Sequence, residues 1–325
     1  MSMVSFRPVL AIDLGGTKIR SAIVLANGKI MSFKNYPTQA KTGPEKVIER
    51  IMAAIKDIMV RTGLTLNDLH GVVIAAAGIL DTKNGVVTAS PSLPGWRNIA
   101  LRDRLRENLG INIYLINDAS AAALGEHHFG AGKGLNNLVY LTVSTGIGGG
   151  IIIGGKLYIG TDGCAGELGH MIIEADGPKC NCGNSGCLEV LASGTAIARE
   201  AQRRIFQGEK SSIMEFITPK GSDSITAEAV GLAAKQGDAL ACEIVNTAAY
   251  FLGIGIANVV NIFNPEMVIV GGGVSKMGEM LLKPTRKVVK QRAFQLPTGT
   301  ARIVRSRLGD NAGIIGAAIA LWEES

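Results

Sequence analysis

The segment Val9-Leu-Ala-Ile-Asp-Leu-Gly-Gly-Thr-Lys18 decides the fold. Its apolar residues Val9 to Ile12 predict a buried strand, and the pair Gly15-Gly16 predicts a tight turn. The residues from Ile19 to Leu25 predict a second strand, so the turn joins strand to strand. This order excludes the Walker loop and the GxGxxG dinucleotide turn, because both require a helix directly after the glycines.

The same order of elements occurs a second time in the chain. Leu138 to Val143 predicts a strand, Ser144-Thr-Gly-Ile-Gly-Gly149 a glycine turn, and Gly150 to Ile153 the partner strand. The repeat predicts two related α/β domains that each present a glycine hairpin to a cleft between them. We place the boundary near residue 117, with a smaller domain of residues 1–117 plus about 311–325 and a larger domain of residues 118–310.

Composition narrows the possible functions. Hydrophobic residues make up 47% of the 325 residues and charged residues 18%, which is typical of a globular core. The net charge of +6 comes from scattered basic residues and aromatics are only 5%, so we expect no nucleic-acid partner. The longest apolar stretch, Ala248 to Phe263, contains two asparagines and is too short to span a membrane, so we expect no membrane partner. Five cysteines without an export signal predict a cytoplasmic protein with reduced thiols or a metal site.

Three glycine clusters are candidates for binding phosphate and nucleotide. In the first turn, Gly15 and Gly16 expose backbone N–H groups, and the candidate side chains are Asp13, Thr17 and Lys18. The Asp13 carboxylate is placed to hold hydrated Mg²⁺. The second turn contributes Thr145 and Gly146, and Gly271 and Gly272 begin a third cluster after the strand Met267 to Val270. Each turn alone is also compatible with an ordinary hairpin, but two matched turns favour a grip on a phosphate chain.

Two further groups of residues suggest chemistry. Cys180, Cys182 and Cys187 follow His170 with metal-ligand spacing, and three thiolates with one imidazole form a complete tetrahedral zinc set, typical of a structural site. A loop with unliganded thiols or a disulfide is the alternative.

Asn117-Asp118 ends a buried strand ahead of an alanine-rich helix, so Asp118 is either the N-cap of that helix or a general base for phosphoryl transfer.

These motifs together resemble the actin-like ATPase superfamily of sugar kinases. The segments Gly166-Glu-Leu-Gly-His170 and Cys180-Asn-Cys-Gly-Asn-Ser-Gly-Cys187-Leu-Glu189 are similar to those of the ROK family (repressors, open reading frames, kinases). Leu93-Pro-Gly-Trp96 is similar to the glucokinase branch. The resemblance implies an α/β fold of two actin-like (ribonuclease H-like) domains around an interdomain cleft. It also implies transfer of the γ-phosphoryl group of ATP to the 6-hydroxyl of a hexose, with glucose the expected substrate.

The resemblance also implies roles for single residues. Asp118 is the expected general base, and the expected sugar contacts are Gly78, Asn117, Asp118, Glu167, His170 and Glu189. The implied cofactors are ATP, Mg²⁺ and a structural Zn²⁺, which would hold the two glutamates towards the sugar through the loop around His170. The resemblance further implies a homo-oligomer, either a dimer or a tetramer.

Two departures keep other functions open. Ser92 stands where glucokinases of the family commonly have asparagine, so a broad-specificity hexokinase or an N-acetylmannosamine or N-acetylglucosamine kinase remains an alternative. Ile79 replaces the arginine of the family's N-acetylmannosamine kinases, which counts against that substrate. A sugar-binding transcription regulator is the alternative from another class. We expect none here, because twelve residues before Asp13 leave no room for a helix-turn-helix region.

Overall fold

The computed structural model describes residues 7–217, 225–294 and 301–324. Its strands are β1 (Val9–Leu14), β2 (Lys18–Val24), β3 (Ile30–Pro37), β4 (Gly71–Ala76), β5 (Ile79–Asp81), β6 (Val86–Ala89), β7 (Arg97–Ile99), β8 (Ile113–Asn117), β9 (Leu138–Val143), β10 (Ile147–Ile153), β11 (Lys156–Leu157), β12 (Met267–Gly271) and β13 (Arg302–Arg305). Its helices are α1 (Pro44–Thr62), α2 (Leu101–Leu109), α3 (Asp118–Phe129), α4 (Leu188–Ala192), α5 (Gly194–Phe206), α6 (Ala227–Lys235), α7 (Ala239–Phe263), α8 (Glu279–Arg292) and α9 (Ala312–Glu323).

The first five-stranded sheet has the order β3-β2-β1-β4-β8. Strand β1 is antiparallel to β2 and parallel to β4, and β4 is parallel to β8. The central strands β1 and β4 are almost entirely apolar and buried, as expected for parallel strands covered on both faces. Because the carboxyl ends of parallel strands meet at one edge of the sheet, β1 and β8 bring Asp13 and Asn117 to the same edge.

The second five-stranded sheet has the order β11-β10-β9-β12-β13, with β12 parallel to both β9 and β13. The two sheets therefore share one strand order, as the repeated sequence pattern predicted. A third sheet, β5-β6-β7, follows β4 and was not predicted. Its strands have only three or four residues, which is too short for a clear alternation of apolar and polar side chains.

The chain divides into two compact units. The first unit comprises Met1–Gly134, Gly150–Gly166 and Asp310–Ser325, and the second comprises Leu135–Gly149 and Glu167–Gly309. This division differs from the predicted boundary at residue 117, because α3 packs against α9 in the first unit. The two helices approach so closely that a Cβ at Gly316 would overlap the carbonyl oxygen of Ala121.

Each unit has its own apolar core. In the first unit, the predicted helical face of α1 packs on the sheet, and its residues Val47, Ile51 and Ile58 are fully buried. In the second unit, α7 packs against α6 and α8. Among the described residues, α7 is the one helix long and apolar enough to cross a membrane by length and composition. In the structure, 56% of the most apolar window of this helix is buried.

Candidate functional site

Asp13 lies at the end of β1 in the first unit, beside two other charged groups. Burial and the nearby Asp118 carboxylate raise the pKa of Asp13 to about 6. Arg20 stands opposite Asp13 in the antiparallel pair, and its Nη1 lies 4.0 Å from Asp13 Oδ2, which lowers that pKa. The Arg20 guanidinium also donates to Asn311 Oδ1 at 3.0 Å and to the carbonyl oxygen of Asp310. Arg20 belongs to no motif and was not predicted, although its position in strand β2 opposite Asp13 follows from the predicted hairpin.

Asn117, and not Asp118, caps helix α3. The Asn117 side-chain oxygen accepts hydrogen bonds from the N–H groups of Ala119 and Ser120, at 3.0 and 3.1 Å. Asp118 is the first helical residue, and its Oδ1 accepts from the Ala119 N–H at 2.8 Å. Burial raises the pKa of Asp118 above the ordinary aspartate value, and these backbone hydrogen bonds oppose part of the rise.

Asn117 also joins two of the predicted site residues. Its Nδ2 donates to the carbonyl oxygen of Gly78, two residues after the end of β4, at 3.4 Å. Gly78 has a φ of +114°, and a Cβ there would overlap the carbonyl oxygen of Ala89 in β6. Only glycine fits this backbone approach. The small third sheet thus comes directly against the predicted sugar contacts of the first unit.

The first glycine turn is held in place by Thr38, a fully buried residue that sequence analysis missed. The Thr38 hydroxyl donates to the carbonyl oxygen of Gly15 at 2.6 Å, and its N–H donates to that of Thr17 at 3.0 Å. The Thr17 and Lys18 side chains are exposed. A Cβ at Gly16 would come within 2.6 Å of the Ser92 carbonyl oxygen, so the unusual Ser92 lies directly against this turn.

The second unit contains a cavity of about 880 Å³. Ser144 and Thr145 of the second glycine turn line it, together with Gly194 and Thr195 at the start of α5 and with Gly273. Leu232, Met277 and Met280 add apolar walls. This combination of apolar walls with a few polar groups, at this size, suits a small ligand such as a nucleotide.

Of the residues predicted to bind nucleotide in the second unit, one lines this cavity and the others lie close to lining residues in the sequence. Thr145 lines it directly, and Gly146 is the next residue of the turn. Gly271 and Gly272 precede the lining residue Gly273, and a Cβ at Gly272 would overlap the carbonyl oxygen of Val143. The cavity also has charged and polar lining residues that carry no motif and were missed. They are Arg199, Gln202, Glu228, Lys235, Lys276 and Glu279.

His170, Cys180, Cys182 and Cys187 form a compact cluster in the second unit. Their ligand atoms all lie within 4.8 Å of one another. The Sγ atoms of Cys182 and Cys187 are 3.7 Å apart, and so are Cys180 Sγ and His170 Nδ1. A tetrahedral site with Zn–S bonds of about 2.3 Å requires ligand separations of about 3.8 Å. The donor set therefore fits a four-coordinate metal ion, and the sulfur separation is far too long for a disulfide.

The two predicted glutamates lie on either side of this cluster in sequence. Glu167 Oε2 is 3.8 Å from Nε2 of His170, the ring nitrogen that does not face Cys180. Glu189 lies on α4, two residues after Cys187, and its Oε2 accepts a hydrogen bond from the Ile147 N–H at 2.9 Å. Glu189 is thus bound to the backbone of the second glycine turn, which sequence analysis did not predict.

Comparison with known proteins agrees with this architecture. The ROK family profile matches residues 9–324. The chain is 40% identical over 317 residues to a glucokinase of Thermotoga maritima, covering 97% of each protein. It is 36% identical over 312 residues to a xylose repressor of Caldicellulosiruptor bescii, covering 95% of this chain and 76% of the repressor. Its structure is similar, with a TM-score of 0.86 and 36% identity over 97% of this chain and 99% of the other, to that of a ROK family glucokinase from Streptomyces griseus in complex with glucose and AMPPNP. Since the profile match extends over nearly the whole chain, and relatives of this identity span it, the chain belongs to the ROK family.

Proposed function

We propose that this protein is an ATP-dependent hexose kinase that transfers the γ-phosphoryl group to the 6-hydroxyl of glucose. The observation that carries the proposal is the placement of Asp118. It follows the N-cap residue Asn117 at the carboxyl end of β8, close to the Asp13 carboxylate, and burial raises the pKa of Asp118 above the ordinary aspartate value. The glucokinase relatives and the cavity beside the second glycine turn support the same activity.

Each group of residues has a distinct task in the proposed reaction. Asp118 accepts the proton of the 6-hydroxyl as its oxygen bonds to the γ-phosphorus and the bond from that phosphorus to ADP breaks. The backbone N–H groups of the two glycine turns hold the phosphates. Asp13 would hold Mg²⁺, which would neutralise part of the phosphate charge. The residues proposed to orient the sugar hydroxyls are Gly78, Asn117, Glu167, His170 and Glu189. The carboxylates of Glu167 and Glu189 can each accept hydrogen bonds from two neighbouring hydroxyls.

The metal ion of the cysteine cluster is, in this proposal, a structural Zn²⁺. The donor set of three thiolates and one imidazole supports zinc, because a closed four-ligand site leaves no position for substrate. His170 would bind the ion through Nδ1, the nitrogen that faces Cys180, and would present Nε2 towards Glu167. The ion would thereby fix the orientation of both His170 and Glu167 for the sugar.

A coupled assay of ADP release tests the proposal. Mg-ATP is supplied with glucose, mannose, fructose, N-acetylglucosamine or N-acetylmannosamine, and we expect a strong preference for glucose. Comparable rates on several sugars would instead show a broad-specificity hexokinase. That alternative has one observation in its favour, because the short Ser92 side chain is paired with the Ser90 hydroxyl at 3.2 Å, at the position where glucokinases of the family commonly have the longer asparagine.

The role of Asp118 is tested by the substitution Asp118→Asn. We expect turnover to fall by about 10²- to 10⁴-fold, the usual contribution of a general base, with the fold retained. Asp103→Asn, at an exposed aspartate on α2, is the matched control and should turn over normally. Near-normal turnover of Asp118→Asn would show that another group accepts the proton.

A further inference from the structure

We propose that Glu189 is a positioning residue for the second glycine turn, Ser144–Gly149, and links the metal loop to nucleotide binding. The inference rests on the proposed kinase function and deepens it. Glu189 was predicted only as a sugar contact, but its carboxylate lies on the backbone of the turn that borders the cavity of the second unit.

The contact between Glu189 and the turn is close and specific. Glu189 Oε2 accepts a hydrogen bond from the Ile147 N–H at 2.9 Å. The same oxygen fills the space beside Gly146, where an added Cβ would overlap it. A carboxylate bound to a backbone N–H forms a strong, charge-assisted hydrogen bond. Glu189 therefore restricts the orientation of the peptide unit between Gly146 and Ile147, next to the cavity-lining Thr145.

The start of helix α5 holds the other side of the turn. The Gly194 N–H donates to the Ser144 carbonyl oxygen at 2.7 Å, and the Thr195 hydroxyl donates to the Thr145 carbonyl oxygen at 2.7 Å. Glu189, Gly194 and Thr195 belong to one short stretch of chain, helix α4 and the beginning of α5. The position of this stretch therefore determines the conformation of the turn.

The stretch begins at a metal-cluster residue. Cys187 is the N-cap of α4, and Glu189 is the second residue of that helix. The Leu188 N–H donates to the Met171 carbonyl oxygen at 2.9 Å, next to His170. Cys187 itself and Met171, the residue after His170, therefore position the first turn of α4. A metal ion bound by Cys187 and His170 would thereby hold Glu189, and through Glu189 the glycine turn.

The direction of the change in nucleotide affinity distinguishes a positioning role of Glu189 from a purely electrostatic one. A carboxylate near bound phosphates repels them, so a purely electrostatic Glu189 would weaken nucleotide binding, and its removal would improve it. A positioning Glu189 has the opposite effect, because its removal releases the turn. An amide at this position retains an oxygen that can accept from Ile147 and removes the charge.

Binding of a fluorescent N-methylanthraniloyl-ATP with Mg²⁺ to the metal-loaded full chain, without sugar, tests the inference. For Glu189→Ala we expect the nucleotide Kd to rise by about 10-fold, the scale of a lost charge-assisted hydrogen bond. Glu189→Gln should raise it by less than about 3-fold, because a neutral acceptor remains. Glu107→Ala, at an exposed helical glutamate of the first unit, is the control and should leave the Kd unchanged. An unchanged or lower Kd for Glu189→Ala, or an equal loss in both Glu189 variants, would overturn the inference.

A second variant keeps the test decisive if Glu189→Ala does not fold. Gly146→Ala places a methyl group against Glu189 Oε2 and should also raise the nucleotide Kd by about 10-fold, while a normal Kd would overturn the inference. Nucleotide binding by the wild-type protein distinguishes failure of the proposed kinase function from failure of the role proposed for Glu189. If it binds no nucleotide, the proposed kinase function fails together with this inference. If it binds nucleotide and the variants bind equally well, only the role of Glu189 fails.

Discussion

Replacing Asp13 by asparagine should stabilise the Mg²⁺-free protein at neutral and higher pH. Burial and the neighbouring Asp118 disfavour the charged form of Asp13, and the attraction of Arg20 offsets this only in part. The folded protein therefore binds a proton at Asp13 more tightly than the unfolded chain does. Asparagine keeps the size of the side chain and removes the charge, so the cost of holding an ionised Asp13 disappears.

The size of this effect follows from the pKa. The pKa of Asp13 rises from 3.8 to about 6, which corresponds to a destabilisation of the folded protein by about 3 kcal/mol when Asp13 is ionised. The cost is fully present above the folded pKa, declines as the pH falls through about 6, and is absent below the unfolded value of 3.8. For 325 residues with an unfolding entropy of about 2.1 cal/mol/K each, it corresponds to about 4 °C in Tm.

Thermal unfolding in buffer free of Mg²⁺ and without chelator, so that the cysteine cluster keeps its metal ion, measures the effect. The Tm of Asp13→Asn should exceed that of the wild type by about 4 °C at about pH 8, and the difference should shrink markedly at about pH 5. The variant should also lose catalytic activity, since the carboxylate is the proposed Mg²⁺ contact. An Asp13→Asn variant that is no more stable at the higher pH, or whose advantage does not change with pH, would refute the reasoning.

Three further outcomes are expected. Removing the metal with a chelator should abolish glucose binding measured by calorimetry, and unchanged affinity in a protein shown to be metal-free would contradict the role of the cysteine cluster. Gly316→Ala should lower the free energy of unfolding by about 3 kcal/mol in a denaturant titration, because its Cβ overlaps the Ala121 carbonyl oxygen, whereas Gly313→Ala on the same helix has its nearest neighbour at 3.9 Å and should be tolerated. Arg20→Gln should move the acidic limb of the pH–rate profile to higher pH, since Arg20 lowers the pKa of Asp13, and an unmoved limb would show that Asp13 does not control it.

The local sequence was sufficient for the parts of the site that depend on neighbouring residues. The cysteines and His170 lie within eighteen residues of one another, and their spacing predicted a cluster that the structure brings together. The glycine turns were equally visible, because they separate clear apolar strands. The cap of α3 was harder to predict, since Asn117 and Asp118 are both good capping residues. Only the backbone geometry showed that Asn117 accepts from Ala119 and Ser120.

The sequence by itself determined the two repeated α/β sheets, since apolar strands and glycine turns are local patterns that the hydrophobic effect converts into buried sheets. Tertiary structure alone decided which distant side chains support the site. Thr38 reaches the first turn, Arg20 links Asp13 to the segment before α9, and Glu189 reaches the second turn across 42 residues of sequence. The pairing of Arg20 with Asp13 follows from the hairpin, but the contacts of Arg20 with Asn311, of Thr38 and of Glu189 could not be predicted, because no local pattern identifies the distant partner of a polar side chain. Its partner is set by how the surrounding elements pack.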